Sequence, residues 1–333
     1  MAIDQPQSPE LTMSQALWYV APEHAELREE ALAHPLSGMV QVRSVFGALS
    51  RGTESLVFRG QVPESEYGRM RAPFMEGEFP FPVKYGYSNV GRVEFGPSAL
   101  MGKLVFSLMP HQTVFQTNPD ALAIVPDDVP AARAVLAANM ETALNAVWDA
   151  APGPGDRIAV IGGGVVGSLV AYLCGHLPGA EVTLVDINAD RAGIAVALGV
   201  KFATPANAPA DCDVVIHCSA SSAGLSTALA CAGEEATVLE LSWYGSAAVS
   251  APLGGAFHSR QIRLQSSQVG HISASRRPRW TYRRRLNAAL AMLNDSRLDV
   301  LLAPAEDFAR LPARLSKILG RQSTVLCQLI RYP

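Results

Sequence analysis

Apolar and polar positions follow two different rhythms along the chain. In the first third, short runs rich in β-branched and aromatic residues recur at strand length: residues 16–20, 39–46, 91–95 and 104–109. They predict a strand-rich region reaching to about Pro130. Residues 72–86 are punctuated by Pro73, Pro80 and Pro82 and predict a long irregular loop. Asp127, Asp128 and Pro130 then mark a helix start, with an acidic cap and a proline in the first turn. That helix should cover residues 131–150 and stop at Pro152-Gly153-Pro154-Gly155. Residues 1–14 are polar, with Pro6 and Pro9 and no apolar core of a signal peptide, and are expected to form a loose tail.

From Asp156 the rhythm changes to alternating strand and helix. Residues 158–161 form a continuous apolar run, as in a strand buried on both faces. A helix over 165–177, a strand over 181–185 and a helix over 191–198 closed by Gly199 follow. Residues 213–217 and 237–241 predict two strands with a helix between them, and 262–266 a further strand. Such alternation builds a parallel sheet with right-handed crossovers. Residues 283–294 and 308–319 read as helices and 325–330 as a closing strand. Residues 158–180 hold no Asp, Glu, Lys or Arg, a length that would span a bilayer. A glycine turn divides that stretch into two apolar blocks, however, so it reads as a buried strand, a turn and a buried helix, and no membrane association is expected.

Composition narrows the class. A chain of 333 residues suggests two domains. With 49% hydrophobic and 17% charged residues, disorder, collagen and coiled coil are excluded. A net charge of −3 argues against a general nucleic-acid binder. The five cysteines include no C-x-x-C pair, so neither a disulfide framework nor a cysteine-rich zinc site is indicated, and a reducing cytosol fits best.

The most specific chemistry lies in Gly162-Gly163-Gly164-Val165-Val166-Gly167, a G-x-G-x-x-G that follows a predicted strand and opens a predicted helix. The next strand ends at Asp186, 19 residues after Gly167. That is the whole context of a dinucleotide-binding fingerprint. Gly162 permits the tight turn, Gly164 lets the backbone approach a pyrophosphate, and Gly167 lets the helix pack on the sheet. Amides of the helix N-terminus, including those of Val165 and Val166, face the phosphates. Asp186 would accept from the adenosine ribose and repel a 2′-phosphate, favouring NAD(H) over NADP(H); Arg191 softens that preference. A ligand-free glycine turn and an FAD site are the alternatives, the latter disfavoured because FAD fingerprints usually stand near the N-terminus.

A strand-rich first part, a linking helix and this mid-chain unit together resemble the medium-chain dehydrogenase/reductase superfamily. Its anchors here are Gly155-Asp156-Arg157, Gly91-Arg92-Val93 and Val185-Asp186-Ile187-Asn188. Ser50-Arg51-Gly52-Thr53-Glu54 and Gly86-Tyr87-Ser88-Asn89-Val90-Gly91 look most like the bacteriochlorophyllide hydroxyethyl dehydrogenase branch. The resemblance implies an α/β protein: a GroES-like β-rich substrate domain (residues 15–131 and 274–333) and a Rossmann doubly wound domain (132–273), with the site in the cleft between them. It also shows what is missing. Arg51 stands where the zinc enzymes have a cysteine ligand, Tyr87 where they have a histidine, and Ala137 or Ala138 where the third ligand falls; no cysteine precedes Cys174 to build the structural zinc loop. Zinc needs three protein ligands and an open position, so no metal is expected.

Without a metal, hydrogen-bond donors must polarise the substrate oxygen and a side chain must move its proton. Tyr87 is the candidate for proton transfer, with Lys84 or Arg51 as the cation that would lower its pKa, and Ser50 and Thr53 as relays; a tyrosine merely filling the zinc space is the alternative. Glu54 reads as an ion-pair partner of an arginine, or else a contributor to the substrate site, and His111 as a loop residue or a substrate-pocket candidate. On the linking helix, Asn139, Glu141 and Thr142 match positions that contact nicotinamide, Thr142 best. Ser219, after the third parallel strand, would border the nicotinamide ribose. Six arginines between Arg276 and Arg285 form either a solvated surface or a site for an anionic substrate. The expected function is NAD(H)-dependent interconversion of a secondary alcohol and a carbonyl on a ring-bearing small metabolite, by a cytoplasmic homodimer. The rivals are a zinc-free enoyl or quinone reductase and a dinucleotide-binding sensor without catalysis.

Overall fold

The computed structural model describes residues 11–333. Residues 1–10 of the expected tail lie outside them. The tail does not extend to Ser14: the chain is in a strand from Thr12, and Ser14 is buried, its hydroxyl donating to the Val114 carbonyl at 2.7 Å. The described residues form two compact units, residues 11–135 with 304–333, and residues 136–303. The second crossing thus falls at 303/304 rather than at 273/274.

The first unit opens with β1 (Thr12–Ala21) and β2 (His24–Leu32), an antiparallel hairpin turned at Pro22-Glu23 with Glu23 at φ 60°. The sequence did not announce β2, because its positions alternate between exposed and half-buried with no apolar face to read. β3 (Val40–Leu49) runs straight into α1 (Arg51–Phe58). The proline-punctuated loop holds two short strands, β4 (Glu76–Gly77) and β5 (Val83–Lys84), and the Phe79-Pro80 and Phe81-Pro82 bonds are cis. β6 (Asn89–Phe95), β7 (Leu104–Ser107), β8 (Val114–Thr117) and β9 (Ala123–Ile124) follow. Val40, Val42, Val93, Val105 and Phe115 from these strands close a core with Met109 and Leu122.

The expected single linking helix is two, α2 (Ala131–Ala134) and α3 (Ala137–Ala150), interrupted at Val135 and Leu136. Pro130 itself holds the N-cap position of α2 in extended conformation, and neither Asp127 nor Asp128 caps it.

The second unit alternates β10 (Arg157–Ile161), α4 (Val165–Gly175), β11 (Glu181–Val185), α5 (Arg191–Leu198), β12 (Lys201–Ala203), β13 (Cys212–His217), α6 (Ser222–Cys231), β14 (Ala232–Glu240) and β15 (Arg263–Ser266). Its strands pair in the order β12-β11-β10-β13-β14-β15, each pair parallel. Register aligns the carboxyl ends: Ile161 pairs with Val185 on one side and His217 on the other, and His217 pairs with Glu240. The order reverses between β10 and β13, the point where such sheets open a crevice for ligands. α7 (Tyr282–Ala291) then packs on α3.

β16 (Leu302–Asp307), α8 (Leu311–Ile318) and β17 (Cys327–Arg331) return to the first unit, whose larger sheet runs β16-β17-β3-β6-β7-β9, with β8 also on β3. The smaller sheet is β2-β1-β5-β4. The fold is therefore the expected α/β one: a β-rich unit built from both chain ends, and a doubly wound parallel sheet.

Candidate functional site

In the first unit the centre is set by the junction of β3 and α1. Ser50 holds the N-cap position, and Glu54 folds back along the first turn so that Oε1 accepts from the Ser50 amide at 2.7 Å. This satisfies one of the donors a helix start leaves open. Glu54 Oε2 accepts from the Tyr19 hydroxyl at 3.0 Å and lies 2.8 Å from His111 Nε2. Glu54 and His111 are completely buried. The expected arginine partner is thus replaced by a histidine and a phenol. His111 is no ordinary loop residue: its Nδ1 is buried with no hydrogen-bond partner. Gly86, at φ 122°, presses on its ring, where a Cβ would come within 2.7 Å.

Tyr87 lies beside this pair, partly exposed. Its hydroxyl hydrogen-bonds with those of Ser50 and Thr53, which favour ionisation. Burial, the larger influence, and the Glu54 charge oppose it and push the phenol up to about 12. The same carboxylate and burial raise Tyr19 and Tyr85. Three of the four expected catalytic residues, Ser50, Thr53 and Tyr87, are therefore brought together.

Arg51 is not one of them. Its guanidinium donates to the carbonyl oxygens of Val325, at 2.7 Å, and Gly320, at 3.4 Å, pinning α1 to the loop before β17. Lys84 is buried and held by Glu30 at 2.8 Å, Glu76 at 2.5 Å and the Gln112 side chain at 3.3 Å. Neither supplies the expected cation, and no cation figures among the groups that shift Tyr87. At neutral pH Tyr87 is a proton donor, not a base. The donor chemistry here does not fit a catalytic metal either: among the described residues no group of three His, Cys, Asp or Glu side chains is placed to hold one.

In the second unit the glycine turn takes the form its spacing predicts. Gly162 is at φ 108°, and a Cβ there would fall 2.8 Å from the Ser219 amide nitrogen. A Cβ on Gly167 would fall 1.9 Å from the Gly162 carbonyl oxygen, so only glycine lets α4 start this close to β10. A Cβ on Gly164 would meet nothing within 4 Å; it would stand in open space above the N-terminus of α4, which no side chain caps. That uncovered turn of amides at the positive end of a helix fits a pyrophosphate.

Asp186 Oδ2 accepts from the Gly163 amide at 2.6 Å and Oδ1 from the Asn188 amide at 2.7 Å. The carboxylate is fixed, and each oxygen keeps a lone pair for a ribose hydroxyl. Arg191 lies against Gly163, its Cγ 3.3 Å from where a Cβ would sit. Ile187 is 88% exposed, an apolar side chain left uncovered beside the acid.

Other expected residues have different employment. Thr142 donates to the Ala138 carbonyl of its own helix at 3.0 Å. Glu141, whose carboxyl burial raises and Arg285 lowers, with burial prevailing, accepts from Arg285 Nε at 3.0 Å. Arg285 is buried and also donates to Asn145, His271 and Val269, while Arg284 lies over Trp280. Arg285 is thus a structural joint between α3 and α7, whereas Arg276, Arg277, Arg279 and Arg284 are exposed, as the solvated-surface reading expects. Burial pushes the Cys212 thiol up to about 12 and the Cys218 thiol higher still, which fits core residues.

Sequence reasoning missed His217 and Glu240. The buried His217 Nδ1 lies 2.7 Å from Glu240 Oε2, and Nε2 lies 2.7 Å from the Ser219 hydroxyl. The available signal was a polar residue ending each of two apolar strands, Val-Val-Ile-His and Val-Leu-Glu.

No protein-family model and no curated protein matches the chain. Solved structures do. L-idonate 5-dehydrogenase from Escherichia coli K-12 superposes with TM-score 0.79 at 14% identity, over 97% of this chain and 99% of that one. A short chain alcohol dehydrogenase from Escherichia coli CFT073, complexed with NADH, gives 0.74 at 15%, over 96% and 99%. 2R,3R-butanediol dehydrogenase from Bacillus subtilis gives 0.74 at 15%, over the same shares. At such identities the likeness establishes a shared two-domain fold over nearly the whole chain.

Proposed function

We propose that this protein is an NAD(H)-dependent oxidoreductase that interconverts a secondary alcohol and a carbonyl on a ring-bearing small metabolite. It would belong to a branch of the medium-chain dehydrogenases that lacks zinc ligands and resembles bacteriochlorophyllide hydroxyethyl dehydrogenase. The uncovered glycine turn carries this reading, with Asp186 fixed beside it. The amides of Gly164, Val165 and Val166 would take the pyrophosphate, Asp186 the adenosine ribose, and Ile187 the adenine face. When bound, the nicotinamide supplies or accepts the hydride. Structural neighbours of the same fold are dehydrogenases, one of them complexed with NADH, which supports a nicotinamide cofactor.

The hydroxyl triad supports a proton-transfer role for Tyr87. A phenol near 12 keeps its proton at neutral pH and can deliver it to a forming alkoxide. Ser50 and Thr53, hydrogen-bonded to it, align the phenol and can refill it. The misfit of this centre to a metal also favours a second reading, reduction of a carbon–carbon double bond conjugated to a carbonyl, which needs no Lewis acid on the oxygen. The exposed edge strand β15, with Leu264 uncovered, suits a homodimer joined along the parallel sheet. Among the described residues no helix is long and apolar enough to cross a membrane.

Fluorescence titration with NADH and, separately, NADPH tests the cofactor. Saturable binding with NADH tighter is expected, and binding of neither overturns the proposal. NADH consumption with cyclic ketones, compared with cyclic enones, then decides between the two reactions.

A further inference from the structure

At the carboxyl ends of β13 and β14 three side chains form a continuous hydrogen-bonded line. We propose that Ser219, His217 and Glu240 are an acyl-transfer triad, with Ser219 the nucleophile, that hydrolyses small carboxylic esters.

The partners of each atom order the line. Glu240 Oε1 accepts from the Ser242 amide at 2.8 Å, and Oε2 from the Tyr244 hydroxyl at 2.9 Å. Burial works against its charge, but bonds from His217 and Ser242 prevail and hold its carboxyl below the usual range. A carboxylate only accepts, so His217 Nδ1, at 2.7 Å, carries the proton. In the neutral form of the ring this leaves the lone pair on Nε2, which at 2.7 Å can accept from the Ser219 hydroxyl. Ser219 is also bonded to Ser221, at 2.9 Å, whose oxygen accepts the Gly224 amide at 3.0 Å and caps α6. Orienter, base and nucleophile stand in the order that activates a serine.

The surroundings are built for this contact. His217 is wholly buried, whereas Ser219 is partly exposed. A Cβ on Gly224 would fall 2.0 Å from the Ser219 oxygen and 2.7 Å from His217 Nε2, so only glycine lets α6 start here. Ala220, the next residue, is held at φ 50°, a strained position for a residue with a side chain. The line ends where the strand order reverses, beside the Gly162 turn.

The step balances with water as co-reactant. Ser219 Oγ attacks the ester carbonyl while its proton passes to His217 Nε2. The ester C–O bond breaks, and the leaving alcohol takes that proton. Water then attacks acyl-Ser219, giving its proton to His217 Nε2; the acyl–Oγ bond breaks, His217 returns that proton to Oγ, and serine and a carboxylic acid result.

The test uses the full chain with a fluorophosphonate probe, p-nitrophenyl acetate and proton NMR, with no dinucleotide present, so its failure and that of the redox proposal are separate. Wild type should be phosphonylated at Ser219, located by peptide mass spectrometry, and should release p-nitrophenol. Ser219→Ala should lose both while melting at an unchanged temperature. Glu240→Gln should label at least tenfold more slowly. A low-field imidazole proton should be present in wild type and Ser219→Ala and absent in His217→Asn and Glu240→Gln. A folded wild-type protein that is unlabelled at Ser219, or a His217→Asn variant that labels as fast as wild type, overturns the proposal.

Discussion

Each unit of the molecule buries one histidine against one carboxylate, and the two pairs differ in what lies on the far side of the ring. In the first unit Glu54 and His111, 2.8 Å apart, are enclosed by Tyr19, Tyr85 and Tyr87, and His111 Nδ1 meets no hydrogen-bonding partner. In the second unit Glu240 and His217, 2.7 Å apart, continue through Ser219 to the surface. The first pair is a closed source of negative field. Together with burial it raises the neighbouring phenols, so that Tyr87 keeps its proton to higher pH. The second is an open line that ends on a hydroxyl. The same two residue types, equally close, give different chemistry because one ring nitrogen is stopped and the other is connected.

Glu54→Ala should break the first pair with the largest effect. It strips acceptors from the Ser50 amide, the Tyr19 hydroxyl and His111, all in a buried region, and should cost about 3–5 kcal/mol. Urea unfolding would show it; a midpoint unchanged from wild type would mean the centre is not tightly held.

Tyr87→Phe sharpens the contrast without unfolding the protein. Carbonyl reduction should fall about 10²–10⁴-fold, the usual worth of a positioned proton donor. The melting temperature should hardly move. Full activity in this variant would return Tyr87 to a space-filling role.

Alkaline pH probes the field itself. The Tyr87 phenol ionises near 10 when unfolded and about 12 when folded, so the folded chain holds its proton longer. Its contribution is constant below 10 and is lost as pH rises from there to about 12, by about 1.4 kcal/mol per pH unit. Tyr19 and Tyr85 add in the same direction. Stability followed by urea midpoint should therefore drop steeply above pH 10, and less steeply in Tyr87→Phe.

Asp186→Ala gives the smallest change. It should weaken NADH binding about tenfold, roughly 1.4 kcal/mol, and leave NADPH binding unchanged or tighter. Equal weakening of both would show that the acid supports the glycine turn through its bond to Gly163 and does not choose the cofactor.

Much of the fold was legible because its signals are local. The glycine turn, the apolar strands on either side of it, Asp186 and the Gly199 cap each lie within a few residues of the feature they specify. Ser50, Thr53 and Tyr87 came together as the motif resemblance implied. The β2 strand was hidden because hairpin pairing, not an apolar face, holds it. The break between α2 and α3 and the extension of the second unit to residue 303 have no local signal along the chain.

The sequence by itself determined the parallel sheet and the glycine turn of the dinucleotide fingerprint, since periodicity and glycine spacing are written along the chain. Only the tertiary structure decided the protonation chemistry. Lys84 stands three residues before Tyr87 and Arg51 next to Ser50, yet their charges are drawn to Glu30 and Glu76 and to carbonyls at residues 320 and 325. His111 and His217 find their carboxylates 57 and 23 residues away. A pKa depends on burial and on the few charges within several ångströms, and those neighbours are chosen by folding rather than by sequence order.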